Sequence, residues 1–214
     1  MTPSTRQLWD AQNRHPGDRQ SLFLAVAEAL PIETVLYPGS YADVAASFVF
    51  SDVTYNDSDR RAAKFFDDRS TVDGIIAESI DRTDQARTWT FIPGDYTRPL
   101  NIPTDHYDLL VSLYAGFVSE YCTQYVRPGG WLLVNASHGD AALASITNGY
   151  TLVGVIQKNG TTYRYSTEEL DSYLQPKRPT EITRELLHAT NRGVAYTKSP
   201  AAYVFQHSVT SSMP

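Results

Sequence analysis

The sequence is short of the residues that would fasten it to a membrane, staple it with disulfides or draw it to nucleic acid. It has a single cysteine, Cys122, so an internal disulfide is excluded. That thiol falls on the apolar face of an expected helix, where a buried, inert sulfur is the ordinary outcome. No apolar run approaches the ~20 residues needed to cross a bilayer. The N-terminus lacks a basic segment followed by an apolar one, so no secretory signal is expected. Positive charge is scarce: 18 Lys and Arg stand against 24 Asp and Glu, a net charge of −6. Such a surface repels phosphate backbones, and nucleic acid is not expected as a main partner. His15, His106, His138, His188 and His207 are scattered, with no i,i+4 pair and no cysteine cluster, so no metal site is expected. Together these traits describe a soluble cytoplasmic protein.

What is present suits one domain. The 214 residues are 42% hydrophobic, enough to bury a sizeable core. We read residues 1–214 as a single domain with a helical and loop extension over residues 1–20. Trp9 and Leu8 are possible anchors in that extension, and its loop could fold over a bound ligand. A helix from Asp18 carries Leu22, Phe23, Val26, Ala29 and Leu30 at helical spacing, and Pro31 ends it. Further strands are expected at Phe48–Tyr55, Trp89–Ile92, Tyr107–Leu113 and Trp131–Asn135. Helical stretches lie between most of them, at Arg60–Phe66, Val72–Ile80 and Gly116–Val126. Pro99 and Pro103 make the connection before Tyr107 a loop. The last third changes character, with strands expected at Tyr150–Ile156, Thr162–Tyr165 and Tyr203–Gln206 and helices at Ser166–Leu174 and Glu181–Thr190. The fold class is therefore α/β: a doubly wound, mostly parallel sheet of about seven strands with an antiparallel edge strand.

The chain is organised around Ile32–Tyr41, an apolar run that stops at Pro38-Gly39. Asp57 and Asp59 follow 18 and 20 positions after Gly39, past a second apolar run. A strand, a glycine turn and an acid about 20 residues on lets a nucleoside lie across strand ends, with the acid on the ribose hydroxyls. Asp59 could equally cap the helix after it. Tyr37, Tyr41, Tyr96 and Tyr114 all fall at expected strand ends, the ligand-facing edge of an open α/β sheet.

In order, these pieces resemble the motifs of class I S-adenosylmethionine-dependent methyltransferases. Val35–Gly39 is similar to the family's first strand and glycine turn, and Tyr55-Asn56-Asp57 to its second-strand acid. Gly94-Asp95-Tyr96, the proline loop 99–103 and Tyr107–Ser112 resemble the third-strand acid and the aromatic-Asp strand. Val126–Leu133 resembles the proline–glycine–glycine turn before the fifth strand. The likeness covers roughly residues 20–140 and implies S-adenosylmethionine as cofactor. By position, Gly39 would pack on the methionine and ribose parts, Asp57 would hold the ribose, and Asp95 would meet the adenine amine with Tyr96 beside the ring. Tyr37 and Ser40 would flank the first turn, and Ser112, Leu113 and Tyr114 would line the transfer site. The family usually has two or three glycines in the first turn, whereas this chain reads Pro38-Gly39-Ser40-Tyr41-Ala42-Asp43.

Methyl transfer is an in-line displacement, so the protein mainly aligns the acceptor and removes its proton. Asn135–Asp140 gathers an amide, a hydroxyl, an imidazole and a carboxylate after the fifth strand. Imidazole titrates nearest neutrality, which makes His138 the candidate general base. Ser137, His138 and Asp140 do not suggest a hydrolase triad, since sequence neighbours rarely have that geometry and no G-x-S-x-G elbow exists. The expected activity is methyl transfer to a small molecule. The alternative is a non-catalytic domain of the same fold, used for ligand binding or protein association.

Overall fold

The computed structural model describes residues 3–80 and 86–208. Eight strands form one sheet: β1 (Thr34–Pro38), β2 (Asp52–Asp57), β3 (Thr88–Pro93), β4 (Tyr107–Ser112), β5 (Val126–Val134), β6 (Tyr150–Asn159), β7 (Thr162–Ser166) and β8 (Ala202–His207). Their spatial order is β3-β2-β1-β4-β5-β8-β6-β7. β3, β2, β1, β4 and β5 run parallel, while β8 is antiparallel to both β5 and β6. β7 closes one edge antiparallel to β6. The edge strand is thus antiparallel as expected, and a second antiparallel strand, β8, lies inside the sheet.

The parallel part has both faces covered, and successive side chains alternate between two apolar layers. Val35 and Tyr37 of β1 enter one layer and Leu36 the other; Leu109 and Val111 oppose Leu110 in β4; Trp131 and Leu133 oppose Leu132 and Val134 in β5. The first layer is closed by α1 (Thr5–Gln12), α2 (Asp18–Ala27), α3 (Arg60–Asp67) and α4 (Arg69–Glu78). The second is closed by α5 (Val118–Cys122), α6 (Asp140–Ile146), α7 (Leu170–Tyr173) and α8 (Arg184–Thr190). Each fully buried Leu, Val or Phe in these layers stabilises the fold by about 1.5–3 kcal/mol.

Several boundaries move for local reasons. Phe48 is not in a strand: residues 45–48 form a 3₁₀ turn, and β2 begins only at Asp52. Arg127–Gly130 does not sit apart from the fifth strand but opens it. A β-carbon at Gly130 would lie 2.9 Å from the Asp108 carbonyl, so glycine lets β4 and β5 close across an irregular register. In the N-terminal segment, α1 packs against α3 and α4, with Trp9 edge-on to Phe48. No described helix is long and apolar enough to cross a membrane.

Candidate functional site

The parallel strands all end on one side, and the chain order reverses between β1 and β4, the position where open α/β sheets leave a crevice. Five loops meet there, following β1, β2, β3, β4 and β5.

The first turn is folded largely around acids. Gly39 has φ +65° and Tyr41 φ +50°. Tyr41 is held there because its N–H donates to Asp57 Oδ2 at 2.8 Å. Asp57 Oδ1 accepts the N–H of Asp59 at 2.7 Å, and Asp59 in turn caps α3 by accepting from the Arg61 N–H at 2.8 Å. A carboxylate offers about four lone-pair sites, so the half-buried Asp57 keeps about half of its accepting capacity. The Arg61 guanidinium lies 5.2 Å from the centre of the Tyr41 ring.

Beneath the turn sits a second acid, Asp43, which sequence reasoning did not single out. It is 3% exposed, caps the Ala45 N–H through Oδ1 and accepts from the Tyr37 hydroxyl at 3.1 Å through Oδ2. Arg19 of α2 pairs with the same oxygen at 3.0 Å, and its guanidinium lies 5.7 Å from the centre of the Tyr114 ring. Nothing in the spacing links Arg19 to Asp43, because α2 reaches the turn only through tertiary packing. Tyr37 is therefore a core residue with a bonded hydroxyl, its titration pushed far up by burial. Ser40 is buried too, and its Oγ has no partner among the described residues; the same holds for Asn56 Oδ1 at the tip of β2.

The loops after β3 and β4 close on each other. The Tyr96 hydroxyl donates to the Ala115 carbonyl, and the Ala115 methyl fills the space beside Gly39, so that a β-carbon at Gly39 would collide with it. The close-approach position of the first turn is thus already occupied by the chain itself. Asp95 is exposed; its Oδ1 accepts the Thr97 N–H at 2.9 Å and the Thr97 hydroxyl at 2.8 Å. Those bonds, the backbone one foremost, hold its carboxyl below the ordinary range. Leu113 is buried in the first layer, whereas Tyr114 is 67% exposed with φ +63°.

After β5, His138 is half-buried with φ +56°. Asp140 does not meet it. The Asp140 carboxylate is 1% exposed and accepts from Ser112 Oγ and Ser119 Oγ, both at 2.5 Å, and from the Ser119 N–H. Burial dominates over those donors and pushes its carboxyl up to about 6. Ser112 accordingly turns to the interior and not toward a transfer site. Asn135 Oδ1 accepts from the Ser137 N–H at 3.2 Å and faces the Tyr114 N–H at 3.5 Å, tying the β5 loop to the β4 loop.

The strand order, parallel through β5 with the final strand antiparallel and inserted beside β5, is that of the Rossmann-like class I methyltransferase fold. No family model matches the chain. No curated protein matches it. Among solved structures, an S-adenosylmethionine-dependent methyltransferase from Clostridium acetobutylicum is 12% identical, covering 95% of this chain and 98% of its own, with a TM-score of 0.47. A SAM-dependent methyltransferase from Methanosarcina mazei is 14% identical over 86% of this chain and 97% of its own, TM-score 0.46. The YcgJ protein of Bacillus subtilis is 12% identical over 88% and 96%, TM-score 0.45. At such identities these likenesses carry no weight on activity.

Proposed function

We propose that this chain is an S-adenosylmethionine-dependent methyltransferase acting on a small molecule in the cytoplasm. The observation that carries the reading is strain gathered on one edge. Of the six non-glycine residues with left-handed backbone among the described ones, Tyr41, Tyr114 and His138 fall in the loops after β1, β4 and β5. A bulky residue held in that conformation costs about 1–3 kcal/mol and persists where surrounding structure enforces it, which is characteristic of ligand-binding and catalytic loops. Asp57 lies among these loops with accepting capacity to spare for ribose hydroxyls, and Asp95 Oδ2 takes no described bond and could accept from an adenine amine. The unpartnered Ser40 Oγ and Asn56 Oδ1 add unmet hydrogen-bonding capacity to the same strand tips. When bound, the cofactor supplies a methyl group on a sulfonium. This chain would hold its ribose through Asp57, and His138 would take the acceptor's proton.

A second reading has its own observation. Ala115 fills the cradle beside Gly39, and the Tyr96 hydroxyl fastens Ala115 in place. A domain that has closed its own crevice would bind no adenosyl cofactor and would serve as a binding or association module.

Thermal-shift measurements with S-adenosylmethionine and S-adenosylhomocysteine separate the two. A ligand at 100 times its dissociation constant adds roughly 2.7 kcal/mol to stability. A shift of that order in the wild type, lost in Asp57→Ala, supports the enzyme. No shift in the wild type at millimolar cofactor, with one appearing in Ala115→Gly, supports the closed module and refutes the enzyme.

A further inference from the structure

A cavity of about 490 Å³ lies between α8 and the segment at residues 192–195. Its size falls within the range of small-molecule sites. The opposite wall is stiffened by a short antiparallel bridge between Pro176 and Tyr196, with Lys177 N–H donating to the Ala195 carbonyl at 2.8 Å. Leu186, Val194 and Ala195 give it an apolar lining; Leu186 is 39% exposed, one of the few large apolar side chains so open.

The same cavity is lined by Lys177, Arg178 and Arg192. None of the three makes an ion pair with a described residue, although the chain as a whole carries six excess negative charges. Their neighbours behave otherwise. Arg184 pairs with Glu120 and Lys198 with Glu169. Three cations left without partners around an apolar hollow, on an acidic protein, are complementary to a ligand with an apolar body and an anionic head.

The walls are anchored from outside, so the hollow does not depend on Leu186 for its shape. The outer side of α8 is fixed to α5, with His188 Nε2 2.9 Å from Glu120 Oε2 and its ring 4.4 Å from that of Phe117. The 192–193 segment is seated on the loop after β5. Gly193 packs so closely on the Ala136 carbonyl that no side chain fits there, and a β-carbon at Gly139 would lie 2.9 Å from the Arg192 carbonyl.

We propose that this cavity binds a small amphipathic organic anion, its apolar body against Leu186, Val194 and Ala195 and its head held by Lys177, Arg178 and Arg192. Binding here requires no adenosyl cofactor.

Isothermal titration of the full chain with octanoate and with octyl phosphate tests this, with octylamine as a probe of the same body and opposite charge. The expected result is saturable 1:1 binding of at least one anion and none of octylamine; the tighter anion identifies the head group. Arg178→Glu and Leu186→Asp should each weaken binding at least tenfold, while Arg98→Glu, an equal charge change on an exposed residue elsewhere, should alter it less than twofold. Circular dichroism checks that each variant is folded, and either folded cavity variant suffices. Failure of both anions to bind, equal binding of octylamine, or undiminished binding in a folded cavity variant would overturn the proposal.

Discussion

The backbone N–H of Tyr41 donates to Asp57 Oδ2 at 2.8 Å, and this bond ties the first turn to the tip of β2. Tyr41 holds a left-handed backbone, φ +50°, at a cost of roughly 1–2 kcal/mol for a non-glycine residue. The carboxylate offsets that cost, and it also accepts the Asp59 N–H that begins α3. Asp57 therefore has a structural role whether or not it meets a ribose.

Asp57→Ala should accordingly lower the stability of the free protein by about 1.5–3 kcal/mol, the range for hydrogen bonds to a charged group. Urea denaturation without ligand measures this. An unchanged midpoint would mean that the turn is held by something other than Asp57, and any loss of cofactor binding in the same variant could then be ascribed to the ligand contact alone.

Gly39 is constrained twice, by φ +65° and by the Ala115 methyl. Gly39→Ala should cost about 1–2 kcal/mol for the backbone and a further ~1–3 kcal/mol for overpacking. Ala115→Gly in the same chain should restore the second part and leave the first. A double-mutant cycle by urea denaturation reads the coupling. Additive losses would mean that the two residues do not meet in solution.

The alternation of strands and helices was legible because strands covered on both faces are apolar nearly throughout, as at Leu109-Leu110-Val111 and Leu132-Leu133-Val134. The antiparallel edge was legible from consecutive strands late in the chain. The insertion of β8 between β5 and β6 was not, since strand order depends on long-range pairing that leaves no local trace. The same limit hid the ion pair of Arg19 with Asp43, 24 positions apart, and the meeting of Ala115 with Gly39. The apolar run did mark Tyr37 as part of a strand, yet a tyrosine at a strand end reads equally as a ligand contact or as core. Only the packing of Phe23, at 6.1 Å between ring centres, and the bond to Asp43 decide for core.

Asp95 has one oxygen committed to Thr97 and lies exposed at the end of β3. Asp95→Asn keeps an amide oxygen for the turn, so stability should change by less than about 0.5 kcal/mol, as for surface substitutions. If Oδ2 also accepts from an adenine amine, the variant should bind S-adenosylhomocysteine more weakly while its affinity for the analogue lacking the exocyclic amine stays unchanged. Equal losses for both ligands would assign Asp95 to the turn alone.

Asp140 carries the pH prediction. Its carboxyl is pushed from 3.8 up to about 6 because burial disfavours the charge more than Ser112 and Ser119 favour it. A folded-state value above the unfolded one means that the native protein binds more protons between about pH 4 and 6. Stability from this group is therefore greatest below pH 4, falls as pH rises through 6 and stays reduced above it. A shift of roughly two units corresponds to about 3 kcal/mol. Asp18, Asp59, Asp95 and Asp108 have lowered values and give the opposite slope at more acidic pH, so the raw curve mixes signs. The informative quantity is the difference between wild type and Asp140→Asn, which cannot titrate yet still offers an oxygen to the serines. Urea midpoints from pH 4 to 7 should show the variant losing less stability than the wild type across pH 4–6, with parallel curves above it. Parallel curves over the whole range would mean that Asp140 titrates alike in the folded and unfolded chains, and that the carboxylate joining β4, α5 and α6 is reached by water.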